Sequence, residues 1–219
     1  MKIKLIFLLF IFLSFNVCTH DKINQEKRKQ AFETKEKAYL LYINPTIEIM
    51  LTGKERTQKI LSLLDQSIAV DSGFMPAYSL KAQVLSDDSC YFEAIDLLNQ
   101  ALLREDQIDS DMESLLPRMY LQKGILFEKL HSIESAQENY SKAIFMLDLT
   151  LQKDSLNFQA SLNRSFLHIF VNDENAAVED LKILRNRNLS DEEYYQIDFM
   201  IDMIEKTNRS EIVKNTNIF

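Results

Sequence analysis

Three histidines, two cysteines and two Glu-Ser pairs are the obvious candidates for chemistry in this 219-residue chain. A metal bound on one helix face needs ligands three or four residues apart. His20, His131 and His168 offer no such pair. His131 falls in a predicted turn and His168 where a packed side chain is expected, so both are read as structural. Cys90, in "DDSCY", also lies in a predicted turn, with no feature marking a base beside it. Glu113 in "MESLL" and Glu134 in "IESAQ" each precede a serine, but a general acid also needs a companion group and a substrate cradle. The only glycines, Gly53, Gly73 and Gly124, are scattered, so no clustered phosphate loop exists. The expectation is no metal, no cofactor and no catalytic residue.

The elements that would position any site are helices. Three glycines and three prolines are too few for the turns of a sandwich or barrel, while Leu, Ile, Lys, Glu, Gln and Ala abound. With 46% apolar residues the chain can bury one or two cores. Its formal charge is −8; removal of residues 1–17, with Lys2 and Lys4, would leave 23 basic against 33 acidic side chains, a net of −10. That balance argues against nucleic acid, whose phosphates call for a basic face. It suits a basic partner, or solubility alone.

"MKIKLIFLLFIFLSFNVC" opens with two lysines and an apolar run from Leu5 to Phe15, long enough for an export signal and short of a membrane-spanning helix. Residues 1–17 are therefore expected to be a signal peptide. "FNVC" resembles a bacterial lipobox, which implies cleavage before Cys18 and lipid on its thiol, with palmitate among the acyl chains. Phe15 and Val17 depart from that pattern, and no Ala-x-Ala-like site lies nearby. Ordinary secretion and an uncleaved anchor remain the alternatives. Two or three acyl chains hold a protein on a membrane stably. Thr19 lacks the aspartate that retains some lipoproteins at the inner membrane, so the periplasmic or surface side, including an outer membrane, is compatible. With Cys18 lipidated, Cys90 could form no intramolecular disulfide.

Residues 18–37 are polar and charge-mixed and read as a tether passing into a solvated helix; residues 38–206 read as one helical domain, and 207–219 as a frayed tail. Asn44 and Pro45 offer a helix start. Breaks are expected at "DSGFMP", "SDDS", "REDQIDSDMES", "QKDSLN", "VNDEN" and "NRNLSDEE", the last with a capping box from Ser190 to Glu193.

Within this pattern a motif recurs. Tyr120, Gly124, Phe127, Ala136, Tyr140 and Ala143 alternate large and small residues at spacings repeated by Tyr78, Ala82, Leu85, Ala94, Leu98 and Ala101. This resembles the tetratricopeptide repeat, a 34-residue helix–turn–helix unit. Ile60, Leu64 and Ser67 are in phase before it, and Ser165, Ala177, Leu181 and Leu184 continue it with His168 in a large-residue slot. Lys123 stands where the family has leucine, and the closing proline is absent. Small residues let antiparallel helices approach to about 8–10 Å.

The resemblance implies an all-α, α/α superhelix (a TPR-like solenoid) of about four hairpins with a C-terminal capping helix. It also implies a concave groove carrying Leu121, Ile125, Glu128, Leu162, Phe166, Ile169 and Phe170. That strip would hold a helix or extended peptide, unless the helix from Ser190 to Lys206 covers it. The implied function is non-catalytic: an exported, lipid-anchored scaffold that binds another envelope protein. The alternatives are an acidic inhibitor or immunity-type partner, and a peptidoglycan-acting enzyme. The Glu-Ser pairs resemble the catalytic acid of peptidoglycan transglycosylases, whose glycine-rich substrate motifs are missing here.

Overall fold

The computed structural model describes residues 2–44, 46, 51–104, 113–171 and 173–215, with side chains described within 23–212, Glu113 excepted. The expectations for the signal peptide, Cys18 and Glu113 therefore concern side chains outside the described set. Among the described residues the chain is all-helical, with no strand. The helices are α1 (Lys2–Ile43), α2 (Gly53–Val70), α3 (Met75–Asp87), α4 (Tyr91–Leu102) and α5 (Leu116–Lys129). They continue with α6 (Ile133–Lys153), α7 (Phe158–Phe170), α8 (Glu174–Arg185), α9 (Asp191–Lys206) and α10 (Arg209–Asn215), and a 3-10 turn covers Glu113–Leu115. Each expected break separates two of these helices. The chain divides into two units, Met1–Val84 and Leu85–Phe219.

In the first unit α1 packs along α2. Ala31 and Ala38 are fully buried, and the Ser67 hydroxyl donates to the Ala31 carbonyl at 2.7 Å. Arg28 pairs with Asp71 and lies 5.9 Å from the Phe74 ring centroid. From Ile23 onward the segment expected as a tether passing into a helix lies in α1, which packs on α2. The helix start expected at Asn44 and Pro45 runs into residues 45 and 47–50, which lie outside the described set. Asn44 Oδ1 accepts from the Thr46 N–H at 3.1 Å, and α2 begins after Thr52, which forms a capping box with Glu55.

In the second unit α4 to α9 each pack on the next in chain order, and α7 also meets α9 and α10. The intra-hairpin turns share one design. After α3 the Cys90 N–H donates to Leu85 O and the Ser89 N–H to Ser86 O. After α5 the Ser132 N–H donates to Phe127 O and the His131 N–H to Glu128 O. Both are Schellman caps, with Ser89 (φ 61°) and His131 (φ 58°) in the left-handed position. After α7 the outer bond recurs, from the Asp173 N–H to His168 O. Ala94, Ala136 and Ala177 then each donate at 3.0 Å to the residue before the second helix, Cys90, Ser132 and Asp173. The register read from side-chain types is therefore also a register of backbone hydrogen bonds.

A side chain in the left-handed position is strained, and glycine would relieve it. His131→Gly and Ser89→Gly are each expected to stabilise the protein by roughly 0.5–1 kcal/mol, measured as a rise in the urea midpoint at unchanged slope.

The repeat residues are interior. Tyr78, Ala82, Ala94, Leu98, Ala101, Tyr120, Gly124, Ala136, Tyr140 and Ala143 are buried, and Phe127 is half-buried beneath Lys123. A Cβ on Gly124 would land inside van der Waals contact of the Tyr140 ring. The glycine thus makes room for a ring on the partner helix rather than for backbone alone. In α7 Ser165 takes the small-residue position and Ser161 the large-residue one four before it, and their hydroxyls donate back to Ser161 O and Asn157 O.

Candidate functional site

Of the seven expected groove residues, Leu121, Ile125, Leu162, Ile169 and Phe170 are buried. Phe166 is half-buried, its ring edge-on to Phe170 at 5.2 Å between centroids. Glu128 retains 18% of its side-chain exposure. The structure brings the α5 and α7 sets into one unit, and none of the seven is exposed.

Residues 207–219 were expected to fray, but Arg209–Asn215 forms α10, against α7. Asn208 starts it, its Oδ1 accepting from the Glu211 N–H at 2.9 Å. Arg209 then reaches back to α5: Nη1 donates to Glu128 Oε1 at 2.7 Å and Nη2 to Oε2 at 2.8 Å. The same Nη2 donates to Phe170 O at 3.1 Å, at the end of α7. Tyr140 Oη donates to Glu128 Oε2 at 2.8 Å, and Gln137 Nε2 to Phe170 O at 3.1 Å. Three residues after Arg209, Ile212 is buried. The node joins α5, α6, α7 and α10, and the Tyr140 ring beneath it lies 5.2 Å from that of Phe170.

Charge is tuned to match. Burial pushes the Glu128 carboxyl up, but hydrogen bonds from Arg209 and Tyr140, with the arginine's charge, outweigh it and hold the group below the usual glutamate range. Burial and the bond to Glu128 raise the Tyr140 phenol, so it remains a donor at every neutral pH. The sign for stability follows from the depressed carboxyl. The attachment is present above the ordinary glutamate value, about 4.3, and is lost as pH falls through the lower folded value. Acidification through that window is expected to raise hydrogen exchange at Ile212 before global unfolding. Glu128→Gln should remove this acid-dependent step and accelerate exchange already at neutral pH.

The other candidates have ordinary surroundings. His131 is an exposed turn residue, and His168 lies 3.7 Å from Asp180, itself bonded to Arg164. Cys90 precedes α4, its Sγ 3.7 Å from Asp88 O, and Glu134 is exposed in the first turn of α6. Among the described residues no cluster of His, Cys, Asp or Glu could hold a metal ion, and no helix is long and apolar enough to cross a membrane. Comparison with protein-family models finds no match, and comparison with curated proteins finds none either.

Sequence reading missed Arg209, Gln137 and Ile212. The signal for α10 was present: "NRSE" is a capping pattern, with Asn208 three residues before Glu211. The pairing of Arg209 with Glu128 spans 81 residues and leaves no local trace.

The expected capping helix, α9, packs on α8 and joins it through Arg185 and Asp198 at 2.7 Å. Its Ser190–Glu193 capping box forms as expected. Its outer face is less polar than that of a terminal cap. Tyr195 and Phe199 stack at 6.4 Å between centroids and are 71% and 61% exposed.

Proposed function

We propose that this chain is a non-catalytic, tetratricopeptide-like adaptor that holds another protein at a bacterial envelope, exported by its first 17 residues and lipid-anchored through Cys18. The observation that carries the reading is the common register of the hairpin turns, in which Leu85, Phe127 and His168 accept the same cap bond. A chain built of repeated hairpins gains laterally extended surface rather than an enclosed reaction site, and such surfaces bind other polypeptides. The net charge of −8 favours a partner whose docking segment is basic. This last feature is shared with the acidic-inhibitor reading, which differs in predicting tight, strongly salt-dependent binding to a single basic protein.

Two measurements test it. Radiolabelled palmitate should enter the protein and fail to enter Cys18→Ala; label persisting in the variant would refute the anchor. Chemical cross-linking in the native envelope should capture one discrete protein, with loss of that adduct in Phe166→Ala at unchanged circular dichroism. Turnover of peptidoglycan fragments that vanishes in Glu113→Gln or Glu134→Gln would replace the adaptor with an enzyme.

A further inference from the structure

Helix α10 is attached to the second unit as a ligand would be. It has seven residues, well below the length at which a helix is stable alone, and among its described side chains Arg209 and Ile212 hold it to the second unit. The receiving surface is far more prepared than its occupant. Glu128 is oriented by Tyr140, which donates to Oε2, and the Phe170 carbonyl is positioned by Gln137 and by its place at the C-terminal end of α7. Three acceptor oxygens therefore converge on one planar cation. That arrangement fits the fork of a guanidinium and poorly fits an ammonium, which offers a point charge with no fixed plane.

We infer that Glu128, Tyr140 and the Phe170 carbonyl form an arginine receptor, that α10 fills it in cis as a displaceable plug, and that the partner enters with an arginine-bearing amphipathic helix in its place. The inference rests on the adaptor reading for the existence of a partner. The receptor itself stands on the geometry. Ile212, one turn beyond Arg209 on the same helix face, is buried, so the incoming segment carries Arg-x-x-Ile or a similar aliphatic residue. A helix longer than seven residues would bury more surface than α10 does and so displace it. The acidic net charge of the chain favours such a segment electrostatically. Because α10 is tethered, it competes at a high effective concentration, and free peptide binds the intact protein weakly.

Fluorescence anisotropy on the full chain tests this without any partner. The probes are a labelled peptide of residues 207–219, its Arg209→Lys version, and an alanine-rich helical peptide carrying Arg and Ile three residues apart. Arg209→Ala in the protein should empty the receptor and raise affinity for both arginine peptides at least about tenfold over the intact chain. Adding Glu128→Gln to that variant should abolish the gain, and the lysine peptide should bind at least about tenfold more weakly than its arginine parent. Should Arg209→Ala fold poorly, Arg209→Lys serves instead and predicts the same order of affinities. Equal binding by the intact chain and both opened variants, or indifference to Glu128→Gln, would overturn the receptor. Dimerisation of Arg209→Ala on light scattering, reversed by Glu128→Gln, would assign the site to a second copy and overturn the partner. Failure of the envelope cross-linking with success here would sink the adaptor and leave the receptor standing.

Discussion

Gly124→Val is expected to destabilise the protein by about 3 kcal/mol, enough to unfold much of a small domain at physiological temperature. The Tyr140 ring occupies the space into which a Cβ would project. It has no route of escape: Tyr140 is fully buried, its hydroxyl is held by Glu128 and its face is met by Phe170. The helix propensity gained by losing glycine, at most about 1 kcal/mol, does not offset the clash. A double-mutant cycle isolates the cause. In a Tyr140→Leu background the same substitution should be milder by at least about 1 kcal/mol in urea denaturation, because the obstructing ring is gone. Additive effects would mean that the crossing of α5 and α6 is set elsewhere.

Phe170→Asp is expected to cost about 4 kcal/mol or more. Removing a buried aromatic typically costs about 3–5 kcal/mol, and the carboxylate would enter the same interior beside the negative Glu128. Phe170 is fully buried between Tyr140 and Phe166, and its carbonyl receives both Arg209 and Gln137. Phe170→Leu, which keeps most of the volume, should cost about 1.5 kcal/mol or less. Guanidinium denaturation of the two variants distinguishes these outcomes. A Phe170→Asp protein of nearly normal stability would show that this ring faces solvent, and the groove would then be open. The contrast also decides how binding is probed. Phe170 is a folding residue, whereas half-buried Phe166 can be changed at less cost to the interior.

The sequence made the local features of the fold legible. Helix ends followed from capping residues, as at Ser190 and Glu193, and the hairpin registers followed from the spacing of Ala94, Ala136 and Ala177. These depend on neighbours within a few turns, so a single chain displays them. The role of α1 was hidden because the buried residues among its described side chains are Ala31, Ala38 and Leu41, and such a narrow stripe in a charged helix reads as solvated. Burial of Leu121, Ile125 and Ile169 was visible as apolar spacing, but not whether solvent or the chain itself would cover them. Nor was the pairing of Arg209 with Glu128 visible, because complementary charge 81 residues away cannot be told from the many surface pairs that never meet.

The adaptor proposed above requires successive helix pairs that are equivalent and stacked in a line. Spin labels at three matched sites test it: Phe92, Glu134 and Asn175, each exposed and each two residues before the alanine that opens the second helix of its hairpin. With Cys18 and Cys90 replaced by serine, pulsed electron resonance would be recorded on F92C/E134C, E134C/N175C and F92C/N175C. A linear stack predicts two similar adjacent separations, each spanning alternate helices at roughly 20 Å, and an outer separation well beyond either. An outer distance no longer than the adjacent ones would describe a closed bundle and contradict the account.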